Sequence, residues 1–359
     1  MKSVRNILPT FLPSYQEFNL RKGMVMMFQK LLKRHYGIDA IESTPFGRYQ
    51  TCAKDHQRFC LIPLGKKEDE EIIELEHITN HLKRMGDRSV STFVYTKEKK
   101  RMLETESGNY CVITWDETQK RTVTKLGRKL AKFHYRGRSL SIPVKKITRI
   151  GQWKSLWEKR IDQMEKVWIG MMQHEPANEF DRMFFESFPY YMAMAENAIQ
   201  YLVDTELDDD PQAIDYGTVC HIRFTSHTWG EGNITKNPFD WVLDHCSRDL
   251  AEWTRERYFN HYRTYEPEVL RFFEDYQSVQ PLSSFSWRLL YARILFPLHY
   301  VECIENYYST QSEQERLILT ERLEQYLKSS KDHEQFLGHF FQMARVPVRQ
   351  QHIPIIDWL

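Results

Sequence analysis

The sequence predicts an α+β chain of two lobes: a small strand-rich one over residues 1–115 and a larger, mainly helical one over 116–359. Three observations carry this. At ~150 residues per domain, 359 residues suit two domains or one large bilobal fold. Before Trp115, short β-type runs flank a single helical pattern. After it, apolar residues recur at steps of three and four almost to the end.

In the first lobe, Arg48 to Ala53 and Arg58 to Leu64 read as strands joined by the polar turn Lys54-Asp55-His56-Gln57, a hairpin. Ile72, Leu75, Ile78, Leu82 and Met85 then line one helical face between Glu68 and Gly86. Val90 to Thr96 and Tyr110 to Trp115 read as two further strands. In the second lobe, Val123, Leu126, Leu130 and Phe133 mark a helix stopping near Gly137. Trp153, Trp157, Ile161, Met164 and Trp168 form a stripe best explained as a packed core face. A helix is expected from about Pro189 to Val203, and the acidic run Asp204 to Asp210 is expected to be a solvated loop. Val219 to Phe224 and Phe239 to Leu243 read as strands, and Asp249 to Ala344 as successive helices.

Composition excludes several function classes. Lys+Arg number 50 against 49 Asp+Glu, a net charge of +1, which offers no polyanion-binding signature and argues against nucleic acid as a partner. The most apolar stretch, Leu289 to Ile304, is interrupted by Arg293, His299 and Glu302, so no membrane span is expected. Pro9 and Pro13 break the first apolar run, and a secretory leader is not expected. Cysteines 52, 60, 111, 220, 246 and 303 form no C-x-x-C pair, which suits reduced thiols in a protein made in the cytoplasm. Glycine, at 14 residues, is too scarce for a design of glycine-rich loops.

Several strings fall in a recognisable order. Leu126-Gly127-Arg128-Lys129-Leu130-Ala131-Lys132-Phe133-His134 resembles the "LG..LA.FH" helix of the aminoglycoside and choline phosphotransferases. Val219-Cys220-His221-Ile222-Arg223 stands where that family enters its H-G-D catalytic loop. Phe239-Asp240-Trp241 resembles its metal-binding I-D-F/W step, and Arg248-Asp249-Leu250-Ala251 its following Y-D-L-A helix start. Within that group the chain is most similar to the bacterial spore-coat branch of CotS-like and YutH-like proteins. The resemblance implies a bilobal, protein-kinase-like fold, synthesis in a mother cell, deposition on the spore coat, and coat proteins as partners; it leaves the oligomeric state open.

Phosphoryl transfer needs a carboxylate to orient the acceptor hydroxyl, Asn and Asp oxygens on Mg²⁺, and a lysine on the nucleotide. Here Arg223 replaces the acceptor-orienting Asp, and a guanidinium has no acceptor. Thr228 stands where the metal-binding Asn belongs. A gapped alternative places Asn233 there, only seven residues before Asp240. Ile62 occupies the position of the strand lysine, while Lys66 and Lys67 lie beyond the strand. The lysine's glutamate partner would be Glu71, Glu74 or Glu76, each equally readable as a solvent-face carboxylate. Gly47 is alone in the turn expected over the phosphates, too few glycines for a tight nucleotide clamp. Asp240 survives as a candidate metal ligand. Asp249 is expected to cap its helix and bond the backbone of the degenerate loop. The resemblance implies a scaffold role for His221; His221, His227 and His245 with Asp240 would be a metal site only without the usual helical spacing. Arg223 is expected to pair with Asp240 or Asp244, replacing metal charge by a salt bridge.

The expected function is therefore a kinase-fold coat component without phosphoryl transfer and without a cofactor. The alternatives are an active small-molecule phosphotransferase with Mg-ATP and an alcohol acceptor, or an ATP-independent ligand-binding module using the acceptor cleft.

Overall fold

Alternating β-type runs and one amphipathic helix build an antiparallel sheet with a helix laid on it. The computed structural model describes residues 27–47, 49–117, 125–172, 176–229, 235–261 and 264–359. Its first part holds strands β1 (Ile41–Phe46), β2 (Tyr49–Lys54), β3 (Gln57–Pro63), β4 (Thr92–Val94), β5 (Met102–Thr105) and β6 (Gly108–Asp116), with helix α1 (Asp69–Arg84) between β3 and β4. The sheet order is β1-β2-β3-β6-β4, with β5 also on β6, and every pairing is antiparallel. Lys54 faces Gln57 across the expected hairpin, and Asp55 takes the positive φ of 54° that its tight turn needs.

Register decides what each face carries. Cys60 and Ile62 of β3 face the same side as Cys111 and Ile113 of β6 and pack against Ile72, Leu75 and Ile78 of α1. The other face buries Phe59, Leu61, Leu103 and Val112 under Phe28, Leu32 and Tyr36. Two strands escaped the sequence reading. β1 is a mostly exposed edge containing Pro45, and β5 is a four-residue edge; neither alternates cleanly between apolar and polar.

The remainder is mainly helical: α2 (Leu126–Arg138), α3 (Trp153–Met171), α4 (Glu179–Asp208), α5 (Ser247–Asn260), α6 (Tyr265–Gln277), α7 (Ser284–Leu295), α8 (Leu298–Ser309), α9 (Glu313–Lys328) and α10 (Ser330–Met343). One hairpin, β7 (Thr218–His221) with β8 (Trp241–Asp244), interrupts it, His221 facing Trp241.

Helix α4 corrects an expectation. It starts ten residues before Pro189, capped by the Asn178 side chain on the Asp181 N–H at 3.0 Å, and it carries the acidic run as far as Asp208. A mid-helix proline removes the bond to the carbonyl four residues back. That carbonyl, Phe185 O, accepts instead from the Trp168 indole of α3 at 2.9 Å. The tryptophan stripe thus does more than fill the core: it satisfies the break in its neighbour.

Helix α2 is placed by its glycines. A Cβ on Gly127 would lie 2.1 Å from Phe272 O of α6, and one on Gly137 would lie 2.6 Å from Thr218 Oγ1 of β7. Only glycine allows α2 to touch both backbones, and this fixes β7 and the loop leaving it. All six cysteines are free and buried. No helix among the described residues is long and apolar enough to cross a membrane.

Candidate functional site

The loop leaving β7 is held from below by a relay of buried polar side chains. Asp249, the third residue of α5, accepts from the His221 N–H at 2.8 Å, from His221 Nδ1 at 2.7 Å and from His134 Nε2 at 3.1 Å. Trp229 Nε1 can only donate, so at 2.9 Å it makes His221 Nε2 the acceptor and places the ring proton on Nδ1. Tyr276 OH lies 2.8 Å from His134 Nδ1 and completes the far end. Two neutral imidazoles and one carboxylate therefore satisfy one another. Burial alone would raise the Asp249 carboxyl; His221 and His134 outweigh it and hold it below the usual range. Burial depresses His134, with Asp249 only partly opposing.

Asp249 thus bonds the loop backbone as expected, but it does not cap its helix: the N-cap is Cys246, and both carboxylate oxygens are taken by His221 and His134. His134, Cys220 and Asp249 bring three ligand-type atoms within 4.8 Å. Each already has hydrogen bonds, Cys220 Sγ reaching His245 O at 3.3 Å, and the cluster is fully buried.

Arg223 follows two residues after β7 and does not pair as expected. Its guanidinium bonds Glu302 of α8 and lies 3.7 Å from Glu252 of α5. Asp244 is engaged elsewhere, by Arg248 Nη1 at 2.8 Å and by Trp153 Nε1 at 2.8 Å. Arg248 also donates to His221 O at 2.9 Å and Ile222 O at 3.1 Å, gripping the loop entry. Partial loss of water around its head pulls the half-exposed Arg223 guanidinium down, but Glu252 and Glu302 more than reverse this and hold it protonated. Glu252 is itself buried between Arg293 at 2.8 Å and Arg255 at 3.2 Å. Burial would raise it, yet Arg255, Arg223 and Arg293 bring it down to about 2. Arg223, the residue that the sequence reading puts in place of an acceptor-orienting carboxylate, is thus a cation paired with Glu302 and close to Glu252.

Thr228 closes the loop on itself. Its Oγ1 accepts from the Thr225 N–H at 2.7 Å and donates to Arg223 O at 3.2 Å. Asp240 ends a short helical turn, Pro238–Asp240, and its carbonyl accepts from the Ile222 N–H at 2.7 Å, tying it to the same loop. Above it lies the sheet: Phe239 meets Phe93 at 5.4 Å, and burial followed by the Asp240 charge pushes the Cys60 thiol well up. Asn233 lies outside the described residues. His245 sits apart from His221, its Nε2 3.6 Å from Asp215 Oδ1 and 3.4 Å from Ser286 Oγ.

In the sheet, Ile62 is 2% exposed within the core under α1. Lys67 pairs with Glu71 at 3.1 Å beyond the strand. Of the three glutamates considered, Glu76 is the one turned inward, and it bonds Arg101 and Tyr95 at the sheet edge. Glu74 accepts from the N–H groups of Lys145 at 2.7 Å, Lys146 at 2.9 Å and Ile147 at 3.1 Å.

The residues missed in the sequence are Glu252, Glu302 and Arg101. The charges breaking the apolar run at 289–304 were the available signal: Arg293 and Glu302 are the side chains that meet the loop network.

A family model described as "Spore coat putative kinase YutH" matches residues 29–340. The chain belongs to that family. Among YutH-family relatives, the endospore coat-associated protein YutH of Bacillus subtilis (strain 168) is 40% identical over 334 residues, 93% of this chain and 98% of that protein. Among solved structures, an aminoglycoside phosphotransferase from Alicyclobacillus acidocaldarius superposes with a TM-score of 0.63 at 14% identity, over 85% of this chain and 92% of that one. The AMP-bound spectinomycin phosphotransferase APH(9)-Ia gives 0.58 at 16%, over 90% and 98%. At these identities the likeness shows the fold: the YutH-family chain has the bilobal kinase-like architecture of the aminoglycoside phosphotransferases.

Proposed function

We propose that the protein is a coat-associated, kinase-fold component that does not transfer phosphoryl groups and serves the spore coat as a structural or assembly element. Coat association rests on the family and on the printed name of the Bacillus subtilis relative. The observation that carries the loss of transfer is Arg223 bound to Glu302 and Glu252 where the acceptor hydroxyl would need a carboxylate. Ile62 in the core, Glu76 paired with Arg101, and Thr228 spent on its own loop support the same reading. This reading takes no cofactor, because Glu302 and Glu252 already meet the cation at Arg223.

Titration calorimetry and thermal shift with Mg-ATP test this, together with phosphate release against a panel of amino-alcohol and sugar acceptors. The expected result is no saturable heat and no turnover. Micromolar Mg-ATP binding with turnover lost in Asp240→Ala would overturn it. That outcome would establish the second reading, a small-molecule phosphotransferase, which Asp240 favours by standing half-buried beneath the sheet and bonded to the loop.

A further inference from the structure

We propose that the protein associates with a second copy of itself through one face, the basic start of α2 in each copy meeting the acidic end of α4 in the other. This association is independent of whether the loop after β7 transfers phosphate.

The exposed side chains of α2 recur at helical spacing. Lys125, just before its first residue, is followed by Arg128, Lys132, Tyr135 and Ser139, all exposed. Steps of three and four place them on one stripe. Lys125, Arg128 and Lys132 meet no carboxylate among the described residues. The first turn of α2 holds no acidic residue either, although the positive end of a helix dipole favours anions. Nothing in the chain's own packing thus offsets this concentration of positive charge.

The end of α4 shows the same mismatch with the opposite sign. Glu206 and Asp208 lie in its last turn, Asp209 and Asp210 follow, and no basic residue accompanies them there. A helix C-terminus favours cations. Arg288 of α7 meets Asp208 at 3.5 Å, while the exposed Glu206 and Asp210 have no cation among the described residues. Leu207, 78% exposed, stands among them.

An apolar stretch joins the two charged ends. Tyr135, 63% exposed, shares a groove with Ile214, Val279 and Pro281. Arg128 lies two helical turns before that tyrosine, ~10 Å along the axis. Beyond the groove, Ser283 Oγ donates to Asp215 Oδ1 at 2.6 Å, and Arg288 on the following helix reaches Asp208. Base, tyrosine and acid therefore succeed one another across the molecule in that order. A face with opposite charges at its ends and an apolar centre complements itself after a half-turn about that centre. Such a pairing relieves both mismatched helix ends and covers Tyr135 in each copy. A foreign acidic protein would answer the stripe and leave the acidic end unmatched.

Sedimentation equilibrium of the full-length protein tests this. A discrete dimer is expected at about 100 µM protein and about 50 mM salt, with a dissociation constant about tenfold higher in about 0.5 M salt, where charges are screened. Reversing the base, Arg128→Glu with Lys132→Glu, should give a monomer, as should reversing the acid, Glu206→Lys with Asp210→Lys. Mixing the two variants should restore a dimer, because one copy then presents two acidic ends and the other two basic ones. That mixture also shows that both variants fold. Tyr135→Ser should weaken the native dimer at both salt concentrations. A monomer under every condition, a polymer that lengthens with concentration, a dimer unmoved by either reversal, or a mixture that stays monomeric would overturn the face. Retention of a poly-glutamate peptide by a native monomer would give the stripe to a foreign acidic partner instead.

Discussion

Arg223 and Arg293 touch the same glutamate, and their surroundings predict different costs of removal. The Arg223 side chain is 45% exposed, so solvent screens its pairs, which are worth about 1 kcal/mol together. Arg223→Asp would also set a third carboxylate beside Glu252 and Glu302, bringing the expected destabilisation to about 2 kcal/mol without creating a usable base. Arg293 is 6% exposed and bonds a buried carboxylate, so Arg293→Leu should cost about 3 kcal/mol or more by leaving Glu252 underpaired. Urea denaturation of the two variants measures both, and equal costs would contradict the ranking. Three buried imidazoles predict the pH response. Burial depresses His134, His299 and His333, the last to about 3. Below pH ~6.5 the unfolded chain takes up protons that these native side chains refuse, so stability is full above that value and falls with pH. The slope is about 1.4 kcal/mol per pH unit per histidine. The Asp249 and Glu252 carboxyls are held low, so their contributions are lost only in stronger acid. Thermal melts from pH 7.5 to 5 should show the decline. His333→Phe, placed among Tyr258, Phe259 and Phe336, should flatten it.

Helices α3 and α4 act as one element through Trp168 and Pro189. Trp168→Phe keeps the stacking on Phe185 but leaves its carbonyl unsatisfied, an expected loss of about 1–2 kcal/mol. Pro189→Ala restores the backbone donor, so the double variant should recover most of that loss; additive costs in the double-mutant cycle would exclude the coupling. This pair also shows what periodicity conveys and what it omits. The helix faces, the β2–β3 hairpin and the position of β7 were legible because their apolar spacing is local. The start of α4 was not, because a proline ten residues into a helix is tolerated here only through Trp168, a residue 21 positions away. The loop was legible in part. Arg223 is legible as a cation where the resemblance implies an Asp, but its partners lie on α5 and α8, brought near only by packing, and proximity in sequence favoured Asp240 and Asp244 instead. The two charges within 289–304, Arg293 and Glu302, interrupt an otherwise apolar stretch, which is the trace a long-range ion-pair network leaves in a sequence.

At the scale of the whole molecule, the sheet and the helical part are joined at several points rather than along a free hinge. Glu74 of α1 holds three consecutive N–H groups at 145–147, and that segment continues into bonds with Leu243 of β8. The 5% exposed Lys236 bonds Asp87 at 2.6 Å and sits over Phe133 and Trp229, at 4.7 and 4.5 Å, while its backbone bonds Ser89 and Ser91. Closure around a nucleotide would have to break these bonds together, so small-angle scattering should give one radius of gyration with and without saturating Mg-ATP. A contraction on addition would show that the joint yields. The six buried thiols make the opposite event, opening, observable. Burial pushes every one of them above its ordinary pKa, which keeps the reactive thiolate scarce. Alkylation at Cys52 times exposure of the sheet, at Cys220 and Cys246 that of the relay, and at Cys303 that of α8. The chain therefore carries its own set of chemical clocks, readable by mass spectrometry.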